Sequence, residues 1–507
     1  MRHLIICCDG TWQAAASDSN VARLHRALAA TTRTGVEQKC RYIQGVGTSV
    51  ASWLPGGLAG AGLSSNIMAA YEWLVQVYRP GDLVALFGFS RGAYTARSLA
   101  GMIGRCGLLE ATGPTEVKTR VARVYRRYRE RVNDPDDVTW HTGLSFVYEP
   151  DGPDPIPVHF IGVWDTVGAL GIPDHLDLFD GLDRDYHEFH DVALDPQIRH
   201  ARHAVALDEL RGTFAPTLWS DPAPGQDVEQ VWFPGGHLDV GGGWYPKGLS
   251  DGALLWMMDE AESTVGIEFD SRMRERFRAE PLAVSPHLLR YAETLTSPLT
   301  EFGFQPWPRA TPPVRADEPD PNVHASAYAR QAATSLPGGP YRPTRTLAPG
   351  GSATVDVPAT GGWAATGLWL EPGTYTFTAA GSWSSAGTSV GPAGGTRPRT
   401  PVNLIGSAIG RVEGLIRSVV KNDSPSVIGG RREHDLPWMS LVGYVANEMR
   451  DKSGRIRPGC GHERIPIGAG TTQRIDRPGY LYAFANEAWG YYWNNRGSVE
   501  LTVTAAG

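Results

Sequence analysis

Ser90 stands in Gly88-Phe89-Ser90-Arg91-Gly92, preceded by the apolar run Leu83-Val84-Ala85-Leu86-Phe87 and followed by the helix-like Ala93-Tyr94-Thr95-Ala96-Arg97. A serine hydroxyl is a poor nucleophile, and a strained strand-to-helix turn is one way to expose it. Glycines two before and two after remove the side chains that would obstruct such a turn. The other reading, a plain strand-to-helix turn, lacks a reason for both glycines and for these flanks. Two further positions supply the groups that an activated serine needs. Trp232-Phe233-Pro234-Gly235-Gly236-His237 runs a strand into a glycine-bracketed loop that carries a histidine, a candidate general base. Phe160-Ile161-Gly162-Val163-Trp164-Asp165 is an apolar strand ending abruptly in an aspartate, which either orients that imidazole or caps the next helix.

Asp208, in Ala206-Leu207-Asp208-Glu209, competes for the acid role, because the chain order serine, acid, histidine holds for both aspartates. Asp239, two residues after His237, is read as fixing the histidine loop through backbone hydrogen bonds. Ester cleavage also requires donors for the developing oxyanion. The backbone N–H of Arg91 is one, and the loop Asp9-Gly10-Thr11-Trp12 after the first strand offers Gly10 and Thr11 as the other. Asp9 reads equally as a loop-fixing carboxylate or a metal ligand.

These residues require a frame that brings strand ends to one rim. Over residues 1 to about 260, short apolar runs alternate with helical stretches, the pattern of a mostly parallel sheet covered on both faces. Strands are expected at Leu4 to Cys8, Asp82 to Gly88, Val158 to Val163 and Gln230 to Phe233, and helices at Ile67 to Tyr78, Ala93 to Ile103 and Leu254 to Glu262. From Asp270 to about Pro343 the text becomes irregular, with Pro306, Pro308, Pro312, Pro313, Pro319 and Pro321 close together, and reads as a helix or two and then a linker. From Thr346 onward, glycine, threonine, serine and aromatics alternate as in a β-sandwich or jelly roll. The expected architecture is an α/β-hydrolase-type domain over 1–343 with a Pro-rich linker at its end, then an all-β domain over 344–507. A segment at about 402–430 reads as a helical insertion, packed on a sheet or lying on a membrane surface.

The bulk properties of the 507 residues narrow the function classes. A net charge of −7 argues against phosphate-driven nucleic-acid binding, and Arg123, Arg126, Arg127, Arg129 and Arg131 read as the solvated face of a helix. Five cysteines in no metal-type spacing read as reduced thiols rather than a disulfide framework. The first ten residues lack the pattern of a cleaved signal peptide, so the expected location is the cytoplasm, or outside the cell by a route that cleaves no signal.

The motifs Cys8-Asp9-Gly10-Thr11-Trp12, Gly45-Val46-Gly47-Thr48, Gly88 to Arg97, Gly162 to Val167 and Phe233 to Gly243 resemble the α/β-hydrolase domain family that includes type VI secretion phospholipase effectors. That resemblance implies a Ser90, Asp165, His237 triad and a lipid or other ester substrate, with no cofactor for catalysis. Glu371 to Gly381, with Tyr482 to Ser498, resembles the bacterial galactose-binding calcium lectin family. It implies a calcium ion and a glycan held by Glu487, the carbonyl of Tyr491, Asn494 and Asn495, all oxygen donors suited to a hard cation. Glu487 stands where that family has the shorter aspartate. The expected activity is that of a serine esterase or phospholipase whose second domain holds it at a glycan or a membrane surface. A carbohydrate esterase is an alternative within enzymes, and a glycan-binding protein with an inactive hydrolase scaffold is the alternative from another class. Peripheral membrane contact fits the first reading, and oligomeric state is not encoded in any of these motifs.

Overall fold

The computed structural model describes residues 1–10, 18–45, 58–111, 113–129, 140–167, 194–285, 306–336, 339–396, 431–451 and 456–507. The N-terminal part runs β1 (His3–Cys8), α1 (Asn20–Ala27), β2 (Gln38–Ile43), α2 (Leu58–Val77), β3 (Leu83–Phe89), α3 (Arg91–Cys106), β4 (Leu108–Leu109) and α4 (Pro114–Arg129). It continues with β5 (Phe146–Tyr148), β6 (Val158–Trp164), β7 (His200–Ala206), β8 (Asp227–Phe233), α5 (His237–Gly241), α6 (Gly248–Val265), α7 (Ser271–Arg274) and α8 (Ala325–Ala332). Six of these strands form one sheet in the order β2-β1-β3-β6-β7-β8, every neighbouring pair parallel. β4 and β5 make a separate antiparallel pair.

Alternation along each strand divides the apolar side chains between two cores, as a sheet covered on both faces requires. In β1, Leu4, Ile6 and Cys8 join α2, α3 and α4 on one face, while Ile5 and Cys7 join α1 and α6 on the other. β6 divides likewise, with Ile161 and Val163 on the first face and Phe160 and Trp164 on the second. Each such aliphatic or aromatic side chain fully removed from water contributes roughly 1.5–3 kcal/mol.

The four expected strands are present, and two unexpected ones complete the sheet. β2 (Gln-Lys-Cys-Arg-Tyr-Ile) is an edge strand with only its end residues fully buried, so it carries no apolar run. β7 (His-Ala-Arg-His-Ala-Val-Ala) is almost wholly buried, yet two polar residues interrupt its pattern. Arg202 is paired there with Asp227 at 2.7 Å and with Glu260 at 2.6 Å. His203 accepts the Thr166 N–H at Nε2, 3.0 Å away, and burial pushes its imidazole down to about 3, so it stays neutral.

The C-terminal part is antiparallel throughout. β9 (Ser352–Pro358), β10 (Ala364–Leu370), β11 (Gly373–Ser385), β12 (Thr388–Val390), β13 (Leu441–Ala446), β14 (Glu463–Ile465), β15 (Gly470–Ile475), β16 (Gly479–Ala485) and β17 (Asn495–Ala505) form two sheets. One has the order β10-β16-β13-β14; the other has β12-β11-β17-β9, with β15 also paired to β11. Their inner faces share a core built around Phe377, Trp383, Leu441, Leu481 and Leu501. The expected helical segment at 402–430 lies outside the described residues. Among the described residues no helix is long and apolar enough to cross a membrane.

The stretch read as a Pro-rich linker is packed rather than free. Trp363 Nε1 donates to the Pro306 carbonyl at 2.7 Å, and Trp307 Nε1 donates to Glu448 Oε2 at 2.8 Å. The Trp307 ring also stacks on His462, 4.8 Å between centroids, and His462 Nε2 donates to the Pro308 carbonyl at 2.8 Å. Closely spaced prolines here fix an extended backbone whose intervening side chains Arg309, Thr311 and Val314 are buried.

Candidate active site

β3 ends in a sharp turn at Ser90, with φ 58° and ψ −123°, a conformation that a serine adopts only where its surroundings enforce it. The flanking glycines are needed for close approach, not for their own dihedral angles. A Cβ on Gly88 would lie 2.5 Å from the Gly92 carbonyl oxygen and the Ala93 Cα. A Cβ on Gly92 would lie 2.1 Å from the carbonyl oxygen of Cys8 on β1. Turn and helix therefore pack directly on the sheet, and Ser90 N–H is tied to the Trp164 carbonyl at 3.1 Å.

His237 opens α5 after Gly235, whose φ of 100° requires glycine. Asp239 Oδ2 accepts the Gly236 N–H at 2.9 Å and the Ser285 hydroxyl at 2.5 Å, which fixes the loop as the sequence suggested. The imidazole lies between Phe89 and Phe214, with ring centroids 4.6 and 4.9 Å away. Its Nε2 is 2.9 Å from Ser90 Oγ, and its Nδ1 is 2.6 Å from Asp165 Oδ2. The carboxylate can only accept at Nδ1, so Nδ1 carries the proton and Nε2 is free to take one from the serine. Burial lowers the imidazole's proton affinity and the Asp165 hydrogen bond opposes this; the net direction is down, toward the neutral ring.

Asp165 terminates β6 with φ 36° and is fully buried. Its Oδ1 accepts the Ala206 N–H at 2.9 Å and Arg309 Nη1 at 2.7 Å, and its Oδ2 accepts Arg309 Nη2 at 3.0 Å. Burial alone would raise this carboxyl; the Arg309 guanidinium and the His237 hydrogen bond outweigh it and hold the group well below the usual carboxylate range. Arg309 is held in turn by the carbonyls of Ala206, at 2.8 Å, and Phe214.

Asp208, the competing acid, is engaged elsewhere. It accepts Gly235 N–H at 2.7 Å, Tyr341 Oη at 2.9 Å and Arg342 Nε at 2.7 Å. It supports the histidine loop from behind, while Asp165 meets the imidazole. Glu209 assists there, accepting His237 N–H at 3.2 Å and pairing with Arg211 at 2.7 Å.

The oxyanion expectation needs one correction. Gly10 lies against the elbow, but its N–H donates to Asp9 Oδ1 at 2.7 Å and is not free to meet an oxyanion. Asp9 is a loop-fixing carboxylate, also accepting Ser19 Oγ at 2.6 Å and Tyr42 Oη at 2.5 Å. Thr11 lies outside the described residues. Arg91 is the first residue of α3, so its N–H has no acceptor within the helix and lies next to Ser90. Its side chain is partly buried, and desolvation pulls the guanidinium down to about 10 with no acidic neighbour among the described residues to raise it.

A family model described as "T6SS, Phospholipase effector Tle1-like, catalytic domain" matches residues 2–260. The chain belongs to this family. An uncharacterized protein of Saccharomyces cerevisiae is 30% identical over 232 residues, which cover 42% of this chain and 32% of the yeast protein. The matched region thus spans about a third of that relative's length. Among solved structures, an uncharacterized protein from Pseudomonas aeruginosa aligns at 17% identity and a TM-score of 0.32, over 60% of this chain and 55% of the other. The EclA N-terminal domain, a PllA-like lectin, aligns at 19% identity and a TM-score of 0.17, over 30% of this chain and 94% of the lectin domain.

Residues 2–260 of the Tle1-like region contain Ser90, Asp165 and His237, but not Arg309, which reaches Asp165 from 144 positions downstream. Sequence reasoning missed Arg309 because an arginine between prolines reads as exposed loop. Only its neighbours Trp307 and Val314, apolar residues in a proline-rich stretch, hinted at burial.

In the C-terminal sandwich, Glu487 Oε2 accepts Trp438 Nε1 at 2.9 Å and Ser385 Oγ at 2.9 Å, and Oε1 accepts Ala488 N–H at 2.9 Å. Asn494 Oδ1 is 3.0 Å from the same Ser385 Oγ, which has a single proton to give. Asn495 Nδ2 donates to the Ala359 carbonyl at 2.9 Å, whereas its buried Oδ1 has no hydrogen-bond donor among the described residues. A buried acceptor without a donor is costly, and an all-oxygen set that includes one suits a hard cation. Trp489 and Tyr492 are buried, while Trp493 is 62% exposed beside this cluster.

Proposed function

We propose that the protein is a serine phospholipase, with Ser90 as nucleophile, His237 as base and Asp165 as the group that orients the imidazole and stabilises it once it takes the serine's proton. The observation that carries this reading is the continuous chain from Ser90 Oγ to His237 Nε2, 2.9 Å, and from His237 Nδ1 to Asp165 Oδ2, 2.6 Å, at a strained strand-to-helix turn. In the first step the Ser90 oxygen bonds to the ester carbonyl carbon as its proton passes to His237 Nε2. The carbonyl oxygen becomes an oxyanion facing the Arg91 N–H. Collapse breaks the ester C–O bond, and the imidazolium returns the proton to the departing alcohol. Water then attacks the acyl-serine with His237 again as base, and the fatty acid leaves.

A lipid substrate is supported by the family, whose description is that of a phospholipase effector. The guanidinium of Arg91, beside the nucleophile and without an acidic neighbour among the described residues, suits an anionic phosphodiester. In the sandwich, Glu487, the Tyr491 carbonyl, Asn494 and Asn495 would hold calcium, which would offer coordination sites to sugar hydroxyls next to Trp493. That would place the enzyme at a glycan-bearing surface.

The test combines labelling with product analysis. A fluorophosphonate probe should modify the purified chain at Ser90, and mixed phospholipid vesicles should release fatty acid and lysophospholipid with the wild type but not with Ser90→Ala. Labelling at another residue, or equal release by the variant, would sink the assignment. Acetate release from acetylated sugars with intact phospholipid would instead favour the carbohydrate esterase.

A further inference from the structure

Cys7 on β1, Cys40 on β2 and His25 in the last turn of α1 converge on the sheet face opposite α3. Cys7 Sγ lies 3.7 Å from Cys40 Sγ, and His25 Nδ1 lies 3.1 Å from Cys40 Sγ. All three ligating atoms fall within 4.8 Å of one another. Cys7 is buried, whereas His25 and Cys40 are half-buried, so the cluster has one side toward solvent. Cys8 points to the other face and takes no part.

The two thiols are joined by an S–H···S hydrogen bond; beyond that contact the pair could be linked by a disulfide or by a bridging metal, and strand register separates these two. β1 and β2 pair Ile5 with Cys40 and Cys7 with Tyr42, so the two cysteines are offset by two residues. With strands about 4.8 Å apart and a rise of about 3.3 Å per residue, that offset puts their Cα atoms about 8 Å apart. A disulfide needs less than about 7 Å, so forming one would require the backbone to move. A tetrahedral zinc ion with Zn–S bonds of about 2.3 Å places two sulfurs about 3.8 Å apart, close to the separation in place. With a Zn–N bond of about 2.0 Å the His25 nitrogen would stand about 3.5 Å from each sulfur, against 3.1 Å from Cys40 and within 4.8 Å of Cys7 here, so a ring shift of up to about 1 Å completes the geometry.

We propose that Cys7, Cys40 and His25 Nδ1 form a zinc-binding site, with water completing the fourth position on the solvent side. Binding exchanges the two thiol protons for the metal and leaves both sulfurs as thiolates. The ion fastens α1 to the edge strand β2. Ser19, the N-cap of α1, and Tyr42 of β2 hold Asp9 and with it the Gly10 turn beside the Ser90 elbow. The site is therefore a structural clip for that rim, not a participant in ester cleavage.

Cobalt(II) is the probe, because it reports thiolate coordination in the folded wild type. Added to the reduced, metal-free full-length chain, it should give near-ultraviolet sulfur-to-metal charge-transfer absorption and visible bands of a tetrahedral ion, saturating at one equivalent and erased by zinc. Cys40→Ser should abolish the charge-transfer band, His25→Gln should weaken binding by at least tenfold, and Cys460→Ser should change nothing. A wild-type spectrum without thiolate charge transfer, an unchanged spectrum in Cys40→Ser, or a Cys7–Cys40 disulfide found by peptide mass spectrometry in the reductant-free protein would each overturn the proposal.

Discussion

The Ser90 site and the Glu487 cluster answer a buried carboxylate with different partners. At the first, the buried Asp165 carboxylate is compensated from within the chain, by the Arg309 fork, the Ala206 N–H and the His237 ring. At the second, Glu487 accepts from the neutral donors Trp438 Nε1, Ser385 Oγ and Ala488 N–H, and Asn495 Oδ1 is buried without a donor among the described residues. A site that the protein neutralises by itself is organised before any ligand arrives. One that leaves an acceptor over has room for a cation as its partner. On the proposed reading, calcium would take at the second site the electrostatic part that Arg309 takes at the first.

The comparison can be broken most severely at Asp165. Asp165→Asn keeps the shape but removes the charge that fixes the His237 tautomer, and vesicle hydrolysis should fall by about 10⁴-fold. A loss under tenfold would mean that the imidazole is oriented by something else. Arg309→Gln comes next, as it leaves a buried carboxylate without its cation, at a cost of about 3–5 kcal/mol in stability by chemical denaturation. Because that chain is also weakened, Arg309→Lys serves as the milder variant, keeping the charge while losing the fork.

A pH profile adds a readout that mere destabilisation would not move. A histidine acts as a base only when neutral, and the proton affinity of His237 is lowered, so on the proposed mechanism wild-type kcat should hold as pH falls below the ordinary histidine value of about 6.5 before it declines. Without Arg309, the less compensated Asp165 carboxylate attracts a proton to the imidazole more strongly. The acid limb in Arg309→Gln should therefore shift to higher pH, and an unshifted limb would reduce Arg309 to a packing role. Asp208→Asn should cost less than about tenfold in kcat, since Asp208 braces Gly235 and never meets the imidazole; an effect matching that of Asp165→Asn would reverse the two roles. The smallest expected effect is thermal. Calcium should raise the melting temperature of the wild type by a few degrees, as ligand binding to the native state does, and should not do so for Asn495→Leu. A rise of the same size in that variant would remove Asn495 from the ligand set.

β1, β3, β6 and β8 were legible as short apolar runs, and the Ser90 turn as a pair of glycines set around a serine. β2 and β7 were not, because an edge strand needs no apolar face and because Arg202 and His203 are tolerated inside β7 only through Asp227, Glu260 and the Thr166 N–H. Chain order does not separate Asp165 from Asp208, and the preference for Asp165 rests on its place at the end of an apolar strand and on the family resemblance. Both follow strands and both precede His237, and only the positions of Arg309 and Arg342 show which one faces the ring. The Gly10 donor was misjudged for a similar reason, as nothing in Cys8-Asp9-Gly10 says that the carboxylate turns back onto the following amide.

What the sequence determined by itself is local. Glycine placement, strand-length apolar runs and the strand-turn-helix order set the backbone conformations at Ser90 and His237, because those depend on steric contacts among near neighbours. What only the tertiary structure decided is the pairing of charge. Electrostatic compensation in a buried site depends on which group arrives from elsewhere in the chain, and Arg309 reaches Asp165 only after the proline-rich segment is pinned by Trp363, Glu448 and His462 of the β-sandwich.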